Sequence, residues 1–325
     1  MIKKQLQSYK KTTTRGIARL SILHIWQKMC NFAHIMASNG NPSDKMLRLT
    51  LRMTRGNWSA SVGDPQSRGS IVYEPYELNN GISPAANLRE AFLQSELLKS
   101  GYRRVLVLTD APVLLIPEEE YVAEECATLF QYTFATESSE EVVCRRLSSL
   151  GCVSAFAVNK DLLMVLKDHF EDIRIAPLCE PVWTHLYKRN FVGPRHKLFA
   201  YFFGKQVCVF SFAQGRFKFC NTFDAPNDQD ALYYLLYVWR QLGMNAEKDE
   251  LHLVGEVDDN GGLCTQLRQY VRRVVAIPPQ ADFRNIAMAK RPDIPYDLKA
   301  AYLDEDGWRS TTLNGSSEAA EGCEQ

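Results

Sequence analysis

Two glycines stand at turns that could hold phosphate groups, and a third glycine follows a predicted strand. Gly56 and Gly204 lie at the turns of two short hairpins, and Gly255 follows an apolar run in "LHLVGEV". Glycine turns let backbone N–H groups approach phosphate oxygens closely. A bound nucleotide also brings Mg²⁺, which needs oxygen ligands, and Phe202, just before the second hairpin turn, supplies none. Phosphate binding and a purely structural role as tight turns therefore both stay open for Gly56 and Gly204.

Other side chains in the sequence offer less chemistry. None of the six histidines is paired as H-x-x-x-H or H-E-x-x-H, and none of the nine cysteines forms C-x-x-C. A G-x-S-x-G elbow is also absent from the sequence. We therefore expect no metal site and assign no catalytic residue. Most of the cysteines lie in apolar runs, which predicts buried, reduced thiols and a cytoplasmic location.

The distribution of charge argues against several partners. Lys+Arg and Asp+Glu both number 38, and residues 1–45 hold eight of the basic residues and one acid. The remainder of the chain is therefore mildly acidic, which predicts no nucleic-acid groove. No stretch approaches the ~20 uninterrupted apolar residues that a transmembrane helix needs. We expect neither nucleic acid nor a membrane span.

The two ends of the chain differ in composition from its body. Residues 1–45 are basic and predict a disordered extension, with Met36 or Met46 as alternative starting points. The alternative interpretation of this acid-poor segment is a transit peptide or a membrane-surface helix. Residues 304–325 carry six acids with several Gly and Ser and predict a disordered acidic tail.

Between these ends, one pattern of elements occurs twice. Alternating or continuous apolar runs predict strands, and apolar stripes of helical period predict helices. In each half the order is three strands, a helix, a strand, a helix and a strand. The first half places them at 47–53, 58–62, 70–78, 83–100, 103–110, 117–134 and 153–158, followed by a helix at 160–170, a strand at 173–178 and a helix at 180–189. The second half places them at 197–203, 206–212, 216–223, 228–243, 250–257, 262–273 and 274–277.

The helix predicted at 228–243 is unusually aromatic. It contains Tyr233, Tyr234, Tyr237 and Trp239 among leucines. A helix that is apolar nearly all round must be buried on more than one side. The aromatic side chains could all belong to the core, or some could form an interdomain or subunit contact.

The doubled unit resembles the ribonuclease H-like fold as it is duplicated in actin, sugar kinases and heat-shock-70 proteins. The segments "TDAPVLLIPEEEY" and "DALYYLLYVWRQLG" are similar to those of an uncharacterised bacterial family with this actin-like ATPase fold. The resemblance covers roughly 46–290. It implies an α/β protein of two ribonuclease H-like domains, 46–192 and 193–303, arranged as in actin-like ATPases, each with a mixed five-stranded sheet and helices.

The resemblance also points to specific positions. Actin-like ATPases carry D-x-G in the first hairpin of each domain, where the carboxylate holds Mg²⁺, and a Gly-Gly pair at the adenosine site. Here the glycines Gly56, Gly204 and Gly255 are kept, as degenerate nucleotide-motif positions. The expected residues are replaced at three positions: Thr54, Phe202 and Glu256. The resemblance therefore implies a site without its metal ligands, and we expect no cofactor.

These observations favour a non-catalytic binding or scaffold protein, a pseudo-ATPase. The alternative is a nucleotide-binding protein or weak ATPase with unusual phosphate ligands. A nuclease of the ribonuclease H type would need a carboxylate on the first strand of a domain, and neither "LRLTLRM" nor "KLFAYFF" contains one. The partner we expect is an unidentified protein, with a homodimer as one option.

Overall fold

The computed structural model describes residues 48–63, 71–191, 193–284 and 287–303. The expectations for the basic segment 1–45 and the acidic tail 304–325 lie outside these residues. In the described residues, two five-stranded mixed sheets and one smaller sheet account for all strands. The predicted α/β architecture with a five-stranded mixed sheet in each half is therefore confirmed.

The first sheet has the strand order β3-β2-β1-β4-β8. Its first three strands are antiparallel, and β1, β4 and β8 run parallel. The strands are β1 (Leu49–Met53), β2 (Trp58–Val62), β3 (Val72–Tyr76), β4 (Arg104–Thr109) and β8 (Asp172–Pro177). Pro75 lies on β3, an edge strand, as its missing N–H requires.

Three helices pack on the outer face of the first sheet: α1 (Pro84–Gln94), α2 (Glu96–Lys99) and α4 (Lys160–His169). Their leucines and phenylalanines form one core cluster with the outward-facing residues of the strands. The Ser83 hydroxyl accepts the Ala86 N–H at 3.2 Å and so caps α1 as predicted.

A three-stranded antiparallel sheet is inserted between β4 and α4, in the order β5-β7-β6. It comprises β5 (Val113–Pro117), β6 (Glu140–Leu147) and β7 (Cys152–Asn159), and α3 (Ala123–Thr133) packs on it. The predicted helix from Pro117 is wrong at its start, because Pro117 ends an edge strand and a 3₁₀ turn at Glu118–Glu120 follows. The strand predicted at 153–158 exists, but it belongs to this inserted sheet, and the fifth strand of the first large sheet is β8.

The second sheet repeats the topology of the first, with the order β11-β10-β9-β12-β13. Its strands are β9 (Lys197–Phe203), β10 (Gln206–Ala213), β11 (Arg216–Asp224), β12 (Glu250–Gly255) and β13 (Val274–Ala276). Two helices cover its outer face: α6 (Asp228–Gln241) and α7 (Gly262–Tyr270).

The inner faces of the two large sheets share one core. Between them lie α5 (Glu180–Asn190), α8 (Pro279–Asp282), a 3₁₀ turn at Ala287–Lys290 and α9 (Tyr296–Ala301). Leu106 and Leu108 of β4 belong to the same apolar cluster as Phe199 and Phe210 of the second sheet. This cluster joins the two halves through a continuous apolar layer, so the relative position of their hairpins is fixed by packing.

The described residues also bear on the expectations about membrane-spanning helices and about the cysteines. None of their helices is long and apolar enough to cross a membrane. All seven cysteines among them are free, and Cys126, Cys152, Cys179, Cys208 and Cys264 are buried.

Candidate functional site

The two glycine hairpins differ in the length of their turns. In the first, Met53 pairs with Trp58, which leaves four residues in the turn. In the second, residues 203 and 206 pair and leave only Gly204 and Lys205. Gly204 consequently adopts φ +56°, whereas the φ of Gly56 lies outside the left-handed region. Of the two turns, only the second therefore requires a glycine for its backbone conformation.

The strand register shows which residues of the two halves are equivalent. The Asp110 N–H donates to the Met53 carbonyl, and the Glu256 N–H donates to the Phe202 carbonyl, both at 3.0 Å. Met53 is thus the counterpart of Phe202. The sequence comparison placed Thr54 opposite Phe202, so it was out of register by one residue in the first hairpin.

The same register pairs Arg55 with Gly204, and both backbone N–H groups have an acceptor from the chain itself. The Gly204 N–H donates to Glu256 Oε2 at 3.0 Å, and the Arg55 N–H donates to Asp110 Oδ2 at 3.4 Å. Asp110 and Glu256 each follow the parallel strand next to their hairpin. In both halves a carboxylate therefore accepts the turn N–H that a phosphate oxygen would need.

Arg55 also connects the two halves across the mouth of the cleft. Its Nη1 lies 3.3 Å from Asp224 Oδ1 at the end of β11, and its Nε lies 3.8 Å from Asp110 Oδ2. The Gln206 amide donates to the same Asp224 oxygen at 3.1 Å. The Arg55 side chain is 59% exposed, so this bridge contributes little stability. The bridge does place the Arg55 guanidinium between the carboxylates of Asp110 and Asp224.

The cleft beneath this bridge is small. Its volume is about 160 Å³, whereas sites for drug-sized ligands span roughly 300–1,000 Å³. Polar side chains line one wall: Gln206, Asn221, Thr222 and Asp224. The space directly beneath this bridge is therefore smaller than a nucleotide needs.

Asp110 is the most buried carboxylate at the cleft. Its side chain is 7% exposed. Burial raises the pKa of Asp110, and the neighbouring Arg55 partly offsets this effect. In the described part of the chain, no three or more His, Cys, Asp or Glu side chains are grouped to hold a metal ion. Among the residues that line the cleft, Asp110 and Asp224 are the two carboxylates, and Arg55 contacts both.

A buried ion pair lies behind the hairpins. Arg52 Nε donates to both oxygens of Asp297, at 3.0 and 2.8 Å, and the Tyr201 hydroxyl donates to Oδ2 at 2.8 Å. Burial alone would lower the pKa of Arg52, but Asp297 outweighs it and the pKa lies above its ordinary value. By the register above, Arg52 and Tyr201 are equivalent positions. Sequence reasoning missed this contact, and the only signal for it was a basic residue in an otherwise apolar strand.

Gly255 has a packing role that the sequence comparison did not identify. Its φ is +93°, and a Cβ there would lie 2.2 Å from the Phe202 carbonyl oxygen and 2.9 Å from the Tyr201 ring. β12 therefore approaches β9 too closely for any side chain at this position. The glycine is needed for the fold whether or not a nucleotide binds.

The aromatic helix α6 is only partly buried. Trp239 and Leu235 face the sheet, while Tyr233 and Tyr237 are exposed and stack with ring centroids 6.1 Å apart. The helix lies on the outer face, away from the inner layer between the sheets. The exposed Tyr233 and Tyr237 therefore make no contact between the two halves of the chain.

Comparison with solved structures identifies this architecture. A protein of unknown function from Bacteroides thetaiotaomicron, with an actin-like ATPase fold, matches with 24% identity over 82% of this chain and 99% of its own, at a TM-score of 0.70. Two more distant similarities have TM-scores below 0.5. One is a PilM-PilN type IV pilus biogenesis complex, with 12% identity over 80% and 98% of the two chains and a TM-score of 0.48. The other is an activator of the 2-hydroxyisocaproyl-CoA dehydratase from Clostridium difficile with bound ADPNP, with 10% identity over 81% and 96% and a TM-score of 0.35.

No curated protein matches the sequence significantly. The likeness to the Bacteroides protein confirms the actin-like ATPase fold that the doubled unit predicted. The model of a family of proteins of unknown function, DUF3822, matches residues 40–274. Since this match spans most of the sequence, the chain belongs to the DUF3822 family.

Proposed function

We propose that this protein is a non-catalytic binding or scaffold protein built on an actin-like ATPase fold. The observation that carries the proposal is the pair of hydrogen bonds from the hairpin N–H groups to Glu256 and Asp110. A phosphate bound at either hairpin would lie next to a carboxylate, because that carboxylate already accepts the N–H that the phosphate would need. The like charges repel, and at Asp110, whose side chain is 7% exposed, this repulsion is poorly screened.

The missing metal ligands support the same proposal. Phosphoryl transfer depends on Mg²⁺ and fixed cations that neutralise charge on the transferred group. The position equivalent to Phe202 in the first hairpin is Met53, so neither of these two positions carries an oxygen ligand. Arg55 is the one cation that the first hairpin brings to the cleft, and it pairs with Asp224.

Turnover is the experiment that tests this proposal. We expect phosphate release from Mg-ATP by the full chain to equal that of buffer, because neither Met53 nor Phe202 offers an oxygen ligand for Mg²⁺. An Asp224→Asn variant serves as the matched control, because it removes the cleft carboxylate most exposed to solvent. Release well above background that Asp224→Asn abolishes would contradict the proposal.

A nucleotide-binding protein or weak ATPase is the second candidate. One observation favours it: a groove of about 490 Å³ adjoins Asp110 on the side of the first domain, between the hairpin and Phe130 and Phe134. This space is large enough for a small ligand. In this alternative, Asp110 and Asp224 would supply unusual oxygen ligands, and the turnover assay would detect their activity.

For the partner, we propose a protein, and a second copy of this chain is the first to test. The stacked Tyr233 and Tyr237 support a contact surface, since exposed tyrosines are enriched where proteins meet. We expect Tyr233→Ser/Tyr237→Ser to weaken self-association in sedimentation velocity. Tyr132→Ser is the control, because Tyr132 is 86% exposed on the inserted sheet's helix. A wild-type chain that sediments as a monomer up to ~100 µM would rule out the homodimer.

We further propose a cytoplasmic location. The free thiols of the described cysteines support it, since oxidising compartments favour disulfides.

A further inference from the structure

Three arginines converge on one carboxylate at the amino ends of the parallel strands of the first sheet. Asp172 begins β8 and pairs in register with Arg104 of β4, and Arg174 lies two residues further along β8. Arg48 immediately precedes β1. The distances to the Asp172 oxygens are 2.6 Å from Arg48 Nη2, 3.6 Å from Arg104 Nε and 3.8 Å from Arg174 Nε. We call these three side chains the arginine cluster.

The arginine cluster carries more positive charge than its surroundings balance. Asp172 is its one carboxylate among the described ion pairs, so two of the three positive charges are uncompensated. The nearby Arg145 is bonded to Glu180 at 2.7 Å and adds no net charge. Burial and the neighbouring arginines lower the pKa of both Arg48 and Arg174. Such a group of like charges is costly unless a further anion neutralises it.

One guanidinium nitrogen of the cluster also lacks an acceptor. Arg48 Nη1 donates to the Val105 carbonyl at 3.0 Å. Arg174 Nη1 is buried and has no hydrogen-bond partner among the described residues. The Arg174 side chain is 17% exposed, while Arg104 is 46% exposed, so the cluster can be reached from solvent. Buried polar nitrogens are nearly always paired, so Arg174 Nη1 remains a hydrogen-bond donor for a second acceptor.

We propose that the arginine cluster binds an oxyanion, a phosphate or carboxylate group, in addition to Asp172. Arginine forks match both groups with two parallel N–H···O bonds. The cluster lies at the amino ends of β1, β4 and β8, whereas Asp110 follows the carboxyl end of β4. The proposed site is therefore separate from the interdomain cleft and independent of the function proposed there.

Two sources could supply the oxyanion. One is a free phosphate group in solution. The other is the chain itself, because residues 304–306 read Asp-Glu-Asp directly after Leu303. The hydroxyl of Tyr302 donates to Ser61 on β2 at 3.1 Å, and β2 pairs with β1, the strand that Arg48 precedes. The last described residues thus lie on the same sheet as the cluster.

Inorganic phosphate is the probe for the first source. We expect it to raise the Tm of the full chain by a few degrees at about 100 times its Kd, compared with chloride at equal ionic strength. Arg174→Gln and Arg104→Gln should each weaken phosphate binding about tenfold or more. Arg103→Gln is the matched control and should leave binding unchanged, since Arg103 pairs with Glu171 and each of the two residues immediately precedes its strand. If Arg174→Gln does not fold, phosphate binding by Arg104→Gln tests the proposal alone, because Arg104 is the more exposed of the two side chains.

A chain with its tail charges removed distinguishes the second source. If residues 304–306 occupy the cluster, Asp304→Asn/Glu305→Gln/Asp306→Asn should lower the Tm without phosphate and bind phosphate at least tenfold more tightly than the wild type. If the oxyanion is free phosphate, both chains should respond alike. No phosphate response in either chain, or a response that Arg104→Gln leaves intact, would overturn the proposal.

Discussion

Asp297→Ala should lower the free energy of unfolding by about 3–5 kcal/mol, because it leaves the Arg52 guanidinium buried and without its counter-ion. The side chains of Asp297 and Arg52 are 0% and 3% exposed, and both oxygens of Asp297 accept from Arg52. Tyr201 would lose its acceptor as well. Urea unfolding at pH 7, followed by intrinsic fluorescence, measures the change.

The exposed pair of Arg291 and Asp293 provides the control for this variant. Their side chains are 43% and 47% exposed, so Asp293→Ala should cost no more than about 1 kcal/mol. The double change Arg52→Met/Asp297→Leu should restore much of the stability lost in Asp297→Ala, because it removes the unpaired charge. A cost below ~1 kcal/mol for Asp297→Ala would show that the buried ion pair does not stabilise the fold as the structure indicates.

Gly255→Ala should be the most damaging glycine substitution near the cleft, at about 2–5 kcal/mol. The added Cβ would meet the Phe202 carbonyl oxygen at 2.2 Å, and the backbone at φ +93° is strained for any other residue. β12 would have to move away from β9. The same urea unfolding experiment measures the change.

Gly56→Ala is the matched control for this substitution. Nothing lies within 4 Å of a Cβ at Gly56, so its effect should stay within about 0.5 kcal/mol. If Gly255→Ala is equally mild, then β12 and β9 are not packed as closely as the structure shows.

The doubled unit was readable from the sequence because each of its elements is local. Apolar period and turn residues predicted both large sheets, and the two copies supported each other. The inserted sheet was not recognised, because the acids after Pro117 are typical of a first helical turn. What makes β5 a strand is its pairing with β7, such as Ile116 with Val153, and such long-range pairing leaves little trace in local composition.

Residue type drew attention to Gly56, Gly204 and Gly255 in the sequence, but the equivalence of the two hairpins needs the strand register. Glu256 stands where the resemblance expects a glycine, and it accepts the turn N–H of the second hairpin. The equivalence of Arg55 with Gly204 follows from strand pairing, which the different turn lengths conceal. The ion pair of Arg52 with Asp297 joins residues 245 positions apart. No pattern in the neighbouring sequence predicts such a contact.

Calorimetric titration of the full chain with Mg-ATP tests the central claim most directly. The claim is that Glu256 and Asp110 occupy the N–H groups that phosphates would need. We therefore predict no Mg²⁺-dependent binding stronger than about 1 mM. Weak, Mg²⁺-independent binding that Arg104→Gln removes would belong to the arginine cluster. A Mg²⁺-dependent Kd below ~0.1 mM that survives Arg104→Gln and is lost in Asp224→Asn would contradict the account.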